Sequence, residues 1–165
     1  MSRHAHIALW VGLAIFVSDQ LSKWLVVHVM DLRTVGAIDV LPPYVNFRMA
    51  WNQGINFGLF SNPGEWMRWT LVALSILISG WVIWWVRREG GGILTMISAG
   101  LLVGGALGNV IDRVIYGAVA DFLNMSCCGF ENPYSFNVAD ISIFAGAIGL
   151  ILFSGNPRDA GEKED

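Results

Sequence analysis

Charge is scarce in this chain: Asp, Glu, Lys and Arg together make up only 14% of its 165 residues, against roughly one-quarter in soluble domains. Hydrophobic residues reach 55% and mean hydropathy is +0.55, which places the chain among membrane proteins. The little charge present sums to -3, so there is no basic stripe to neutralise phosphates, and a nucleic-acid partner is excluded. Histidine is limited to His4, His6 and His28, near the ends of the first apolar run and away from the polar clusters. That distribution argues against a Ser/His/Asp triad. Neither HExxH nor a clustered Cys/His set occurs, so no metal site is expected. The only cysteines, Cys127 and Cys128, are adjacent. They match neither a CxxC motif nor a usual ligand spacing, and are expected as small loop fillers, with a vicinal disulfide the lesser alternative.

Long apolar runs are what the chain has in abundance. Four stand out: Ile7–Val29, Trp69–Val86, Ile93–Val114 and Val138–Phe153. The first three reach or approach the ~20 residues a helix needs to cross the hydrocarbon core, and the fourth is slightly short. Their residues do not alternate as barrel strands would, so the expected class is an all-α membrane protein with four transmembrane helices. The length leaves room for one integral membrane domain spanning residues 1–165. Arg3 precedes the first run, but that run ends in Ser18, Asp19, Gln20 and Lys23 without a small-residue cleavage site, so it is expected to be a retained span.

Between the first two runs, residues 31–66 lose the helical pattern. Thr34–Val40 and Tyr44–Trp51 are rich in β-branched and aromatic residues, broken by Pro42-Pro43 and followed by Gly54, Gly58 and Pro63-Gly64. A small β-sheet on the membrane surface is expected, its aromatics Trp51, Phe57, Phe60 and Trp66 suited to the interface. Arg3, Arg87, Arg88, Arg158 and Lys163 flank the spans on one side. The positive-inside rule then puts both termini in the cytoplasm, and residues 30–68 and 115–137 outside. The polar tail, residues 154–165, reads as a solvated end. Gly100, Gly104 and Gly108 recur every four residues along the third run and lay a small-residue groove on one helix face, which packing alone explains.

Two carboxylates stand out. Asp121 follows the third run by seven residues and Asp140 opens the fourth. A loop that leaves and returns on one face can bring them together, and Asp140 lies where unpaired helix N–H groups favour an anion. Two close carboxylates share one proton. That is the arrangement for hydrolysing a peptide bond without metal or covalent intermediate, one carboxylate activating water and its protonated partner polarising the carbonyl. Which aspartate plays which part stays open. Asn109, Asp112 and Arg113 share a face of the third helix, where Arg113 can satisfy Asp112 or orient carbonyl groups. Asp19 and Lys23 form an i, i+4 pair at the end of the first helix, expected to neutralise itself while the lysine snorkels to water.

In order along the chain, Asp19-Gln20-Leu21-Ser22-Lys23, Asn52-Gln53-Gly54-Ile55-Asn56-Phe57, Gly104 to Arg113 with Gly117 and Asp121-Phe122, and Phe136-Asn137-Val138-Ala139-Asp140 resemble the motifs of the bacterial lipoprotein signal peptidase (signal peptidase II) family. The resemblance implies an aspartyl endopeptidase of the cell inner membrane with an extracytoplasmic β-cradle. Such an enzyme cuts prolipoproteins at the outer face, just before a cysteine carrying diacylglycerol. It implies Asp121 and Asp140 as the catalytic pair, Asn52, Gly54, Asn109, Asp112, Arg113 and Asn137 as supports of the site, and Asp19 and Lys23 as the charged residues of the first helix. Prolipoproteins, membrane phospholipids and the cyclic peptide globomycin follow as partners, no cofactor is implied, and a monomer is expected. Asn56 and Ala120 depart from the family pattern, where a small apolar residue and valine are usual. A lid formed by the segment after Asn52 with the loop 127–132 is a further expectation. Two rivals remain: a small proton-coupled transporter or channel, which wants acids spread through membrane depth, and an assembly factor packing through the glycine groove, which would not need Asp121 or Asp140.

Overall fold

The computed structural model describes residues 5–54 and 65–154. Helix α1 (Ala5–Lys23) opens immediately after Lys23 into a π turn (Trp24–Val29). The Met30 N–H closes that turn on the Leu25 carbonyl at 2.8 Å, the i to i−5 bond of a widened helix. A short α2 (Leu32–Val35), strands β1 (Ala37–Leu41) and β2 (Val45–Asn52), α3 (Glu65–Glu89), α4 (Ile93–Tyr116), β3 (Val119–Met125) and α5 (Val138–Phe153) follow. Among the described residues, three helices are long and apolar enough to cross a bilayer: His6–Val29, Glu65–Glu89 and Ile93–Tyr116. The second extends beyond the expected 69–86 at both ends. Helix α5 is apolar but has only 16 residues, which at 1.5 Å per residue gives ~24 Å against a hydrocarbon core of ~30 Å.

Helix α4 is the hub on which α1, α3 and α5 all pack. Lipid gives helices no hydrophobic drive to associate, so close backbone approach has to supply it. The glycines provide that approach. A Cβ at Gly100 would fall 2.7 Å from the Ala8 carbonyl oxygen of α1, and one at Gly104 would run into the Gly12 carbonyl. On the α5 side, a Cβ at Gly105 would meet the Ala139 carbonyl oxygen at 2.5 Å, and one at Gly146 would meet the Ser98 carbonyl of α4 at 2.6 Å. The expected small-residue groove is therefore present, and Gly105 adds a second one toward α5.

The sheet has order β1-β2-β3 and is antiparallel throughout. It is attached where α1 and α4 end and α5 begins. Its apolar contacts gather Phe122 with Val26 and Leu32, flanked by Ile38, Phe47, Met49 and Leu123. Three expectations change here. Residues 34–40 do not form one strand, because the chain first makes the turn of helix α2 and pairs only from Ala37. Residues 115–137 are not simply a loop, since 119–125 form the third strand, so Asp121 sits on a strand rather than in a flexible connection. Cys127 and Cys128, expected as loop fillers, are instead joined as a vicinal disulfide. Asn56, Phe57 and Phe60, and with them most of one half of the expected lid, lie outside the described residues, as does the tail from 155.

Candidate active site

Asp121 is aimed by the sheet. Between the pairs Phe47↔Leu123 and Ala50↔Asp121, β2 advances three residues while β3 advances two, a bulge that bends the strand beside this carboxylate. The carboxylate is almost fully buried, at 3% exposure, and both oxygens are engaged. Asn52 Nδ2, at the end of β2, donates to Oδ2 at 3.1 Å, and Asn137 Nδ2 donates to Oδ1 at 2.6 Å. Asn52 is held in turn by the Gly54 N–H, which donates to its Oδ1 at 3.0 Å. Gly54 has φ +133°, and a Cβ there would press on Leu71 Cδ1 at 3.0 Å, so the position calls for glycine.

The chain leading into α5 runs beside β3: Phe136 exchanges backbone bonds with Leu123 and accepts the Phe122 N–H. That brings Asn137 alongside Asp121 and makes it the N-cap of α5. Its Oδ1 accepts the Asp140 N–H at 2.9 Å, and its own N–H donates to Asp140 Oδ2 at 3.2 Å. This reciprocal capping box contributes ~1 kcal/mol to the helix start and fixes the Asp140 rotamer. Asn109 Nδ2 of α4 donates to Asp140 Oδ1 at 2.9 Å. One residue, Asn137, thus binds both carboxylates, that of Asp121 through its side-chain amide and that of Asp140 through its backbone N–H. Burial, reinforced by the charge of Asp140, pushes the Asp121 carboxyl up to about 7, against the opposing bonds from Asn52 and Asn137.

The pair on the first helix does not snorkel. Lys23 is buried and its ammonium sits between Asp19 Oδ2 at 2.7 Å and Asp112 Oδ2 at 2.8 Å, with Asn109 Oδ1 at 3.3 Å. Asp112 is therefore satisfied by Lys23 and not by Arg113. Gln20 completes the group, donating to Asp19 Oδ2 at 3.2 Å and Asp112 Oδ1 at 3.1 Å. Each acid of this triad also grips the backbone next to a site carboxylate. Asp112 Oδ2 accepts the Ala120 N–H at 3.1 Å, and Asp19 Oδ1 accepts the Ala139 N–H at 2.9 Å.

Gln20 and Gly108 were missed as site residues. A Cβ at Gly108 would fall 2.5 Å from Asp19 Oδ2, so the bare backbone makes room for that carboxylate. A glycine directly before Asn109 and four residues before Asp112 was the available signal. Arg113 donates from Nη1 to the Asn109 carbonyl at 3.3 Å, its buried Nε has no hydrogen-bond partner among the described residues, and it lies in the field of Asp140, Asp121 and Asp112. His28 meets Tyr116 Oη at 3.3 Å and makes no bond to either carboxylate. The acids gather at one end of the helices rather than along a path through them, which removes the main support for a proton relay.

Comparison with known proteins points the same way as this geometry. The family described as Signal peptidase (SPase) II matches residues 11–155. A lipoprotein signal peptidase of Methylorubrum extorquens is 45% identical over 125 residues, covering 76% of this chain and 72% of that protein. One from Methylobacterium sp. (strain 4-46) is 39% identical over 146 residues, covering 88% and 87%. A solved structure described as a bacterial membrane enzyme superimposes with TM-score 0.75 at 25% identity, covering 96% of this chain and 92% of its own.

Proposed function

The chain belongs to the signal peptidase II family, aspartic peptidases that remove signal peptides from prolipoproteins, and from that premise we propose how its own residues carry out the reaction. Asp121 and Asp140 are the catalytic pair. The observation that carries this reading is that Asn137 bonds to both of them while Asp121, pushed up to about 7, is poised to hold the proton they share. Asp140, whose charge contributes to that rise, takes a proton from water as the water attacks the scissile carbonyl. Protonated Asp121 donates to the carbonyl oxygen as it becomes the tetrahedral alkoxide. When the C–N bond breaks, the proton held by Asp140 goes to the leaving nitrogen, and Asp121 recovers its own as the carbonyl reforms. The guanidinium of Arg113, set in the field of both carboxylates, orients a substrate carbonyl.

The bond cut is the one just before a diacylglyceryl-modified cysteine. Each buried methylene of such a cysteine contributes ~0.8 kcal/mol to membrane attachment, so the enzyme has to meet its substrate where lipid borders water. Carboxylates at helix ends suit that depth. The whole chain is one monomeric, multi-pass domain of the bacterial cytoplasmic membrane, with α5 as its fourth span and the short helix accommodated by local thinning of the bilayer. Arg87 and Arg88, at the end of α3 away from the carboxylates, favour cytoplasmic termini and an active site on the outer face. Globomycin competes with the substrate at the two carboxylates.

The test is cleavage of a diacylglyceryl prolipoprotein by purified protein. Wild type should cut before the lipidated cysteine and be blocked by globomycin, and neither Asp121→Asn nor Asp140→Asn should cut. Full activity in both variants would sink the assignment.

A further inference from the structure

Over the N-terminal two-thirds of α1 and α4, α1 and α3 both lean on α4 while scarcely touching each other. Between them lies a cavity of about 370 Å³ lined by residues such as Leu9 and Phe16 of α1, Ile83 and Arg87 of α3, and Val103 and Leu107 of α4. The lining is apolar except at one end. There Arg87 stands exposed, without a hydrogen-bond or ion-pair partner among the described residues, whereas its neighbour Arg88 lies over the Trp84 ring and near Glu89.

We propose that this groove is a binding site for one acyl chain of an anionic phospholipid whose phosphate pairs with Arg87. The dimensions favour a chain over a helix. The α4 wall runs from Met96 to Leu107, ~16 Å at 1.5 Å per residue, which is about half of a ~30 Å hydrocarbon core and so one leaflet deep. A transmembrane helix of ~10 Å diameter and twice that length does not fit such a space. The charge favours an anionic headgroup, since a basic side chain at the membrane surface attracts one and apolar walls offer nothing else to recognise. The occupied leaflet is also the one opposite the catalytic end: α1 and α4 enter the groove near their N-termini and carry Lys23 and Asp112 at the other end. The lipid is therefore not the diacylglycerol of the substrate, and the inference stands whichever aspartate acts as base.

The experiment is native mass spectrometry of the protein extracted from vesicles of equal phosphatidylglycerol and phosphatidylcholine with matched chains. Wild type should retain phosphatidylglycerol preferentially. Arg87→Gln should lose about fivefold of that retention, the worth of one basic side chain against anionic lipid. Arg88→Gln should retain it like wild type, and both variants should keep full peptidase activity in detergent. Val103→Trp, which fills the groove, should lose bound lipid of either headgroup. Equal retention of both lipids by wild type, undiminished phosphatidylglycerol on Arg87→Gln, or an equal loss on Arg88→Gln would overturn the proposal. Displacement of the lipid by a prolipoprotein signal-segment peptide would assign the groove to the substrate instead and overturn it as well.

Discussion

Two groups of carboxylates meet at the same end of this molecule and are treated in opposite ways. Asp19 and Asp112 share the Lys23 ammonium at 2.7 and 2.8 Å. Asp121 and Asp140 have no cation in contact among the described residues and are held by the amides of Asn52, Asn109 and Asn137. Burial alone does not separate the two groups, for Asp19, Asp112 and Asp121 are all almost inaccessible. The difference lies in partner chemistry. Carboxylates clamped to an ammonium serve as anchors, whereas Asp121, which accepts only neutral amide bonds in a buried place, is pushed up to about 7 and can gain and lose a proton near neutrality. On the proposed mechanism, the first group sets geometry and the second does the chemistry.

The sharpest way to break this contrast is to neutralise one member of the amide-held pair. Asp121→Asn or Asp140→Asn should lower prolipoprotein cleavage by about 10³-fold or more, the upper range for a positioned acid or base, while size-exclusion behaviour and circular dichroism stay those of wild type. Removing the cation of the other group should instead damage the fold. Lys23→Met leaves two buried anions facing each other and should cost ~3–5 kcal/mol, read as a lower melting temperature. The triple change Asp19→Asn, Lys23→Met, Asp112→Asn should recover part of that loss. Asn137→Ala removes the bond to the Asp121 carboxylate and the cap on the Asp140 N–H, and keeps only the backbone bond to the Asp140 carboxylate. It should reduce cleavage by about 10²-fold, the cost of ~1 Å misplacement, with only ~1 kcal/mol of stability lost with the cap.

The pH dependence gives the finer test. With Asp121 pushed up to about 7, cleavage should fall tenfold per unit as pH rises beyond that value and the shared proton is lost. The same rise makes the folded state bind this proton more tightly than the unfolded chain. Its contribution to stability is full below the ordinary carboxyl value of 3.8 and gone once pH has passed about 7. Thermal midpoints of wild type should therefore decline between pH 4 and 8 relative to those of Asp121→Asn. Parallel curves would place Asp121 with the anchoring acids.

Much of this was legible in the sequence because bilayer physics permits few alternatives. Apolar runs located α1, α3 and α4, and the Gly100, Gly104, Gly108 face marked a close-packing groove on α4, though not which helix fills it. Asp121 and Asp140 stood out because ionisable groups at span ends are costly. The strand under Asp121 was hidden: residues 119–125 take their β structure from pairing with β2 across more than sixty residues of intervening chain, and no local pattern encodes that. Lys23 misled for a related reason. An i, i+4 pair at a helix end looks self-sufficient, and only the approach of α4, with Asp112 and the bare Gly108, turns it into a buried junction. The vicinal disulfide also escaped, since adjacent cysteines occur both paired and free.

The tethers on Ala120 and Ala139 carry a mechanical consequence. Both end on acids clamped to a single ammonium, so when the bilayer thickens or thins and the helices slip past one another, strand and helix start are dragged in the same direction. The gap between Asp121 and Asp140 is thereby insulated from the breathing of the surrounding lipid, like two lamps hung from one bracket.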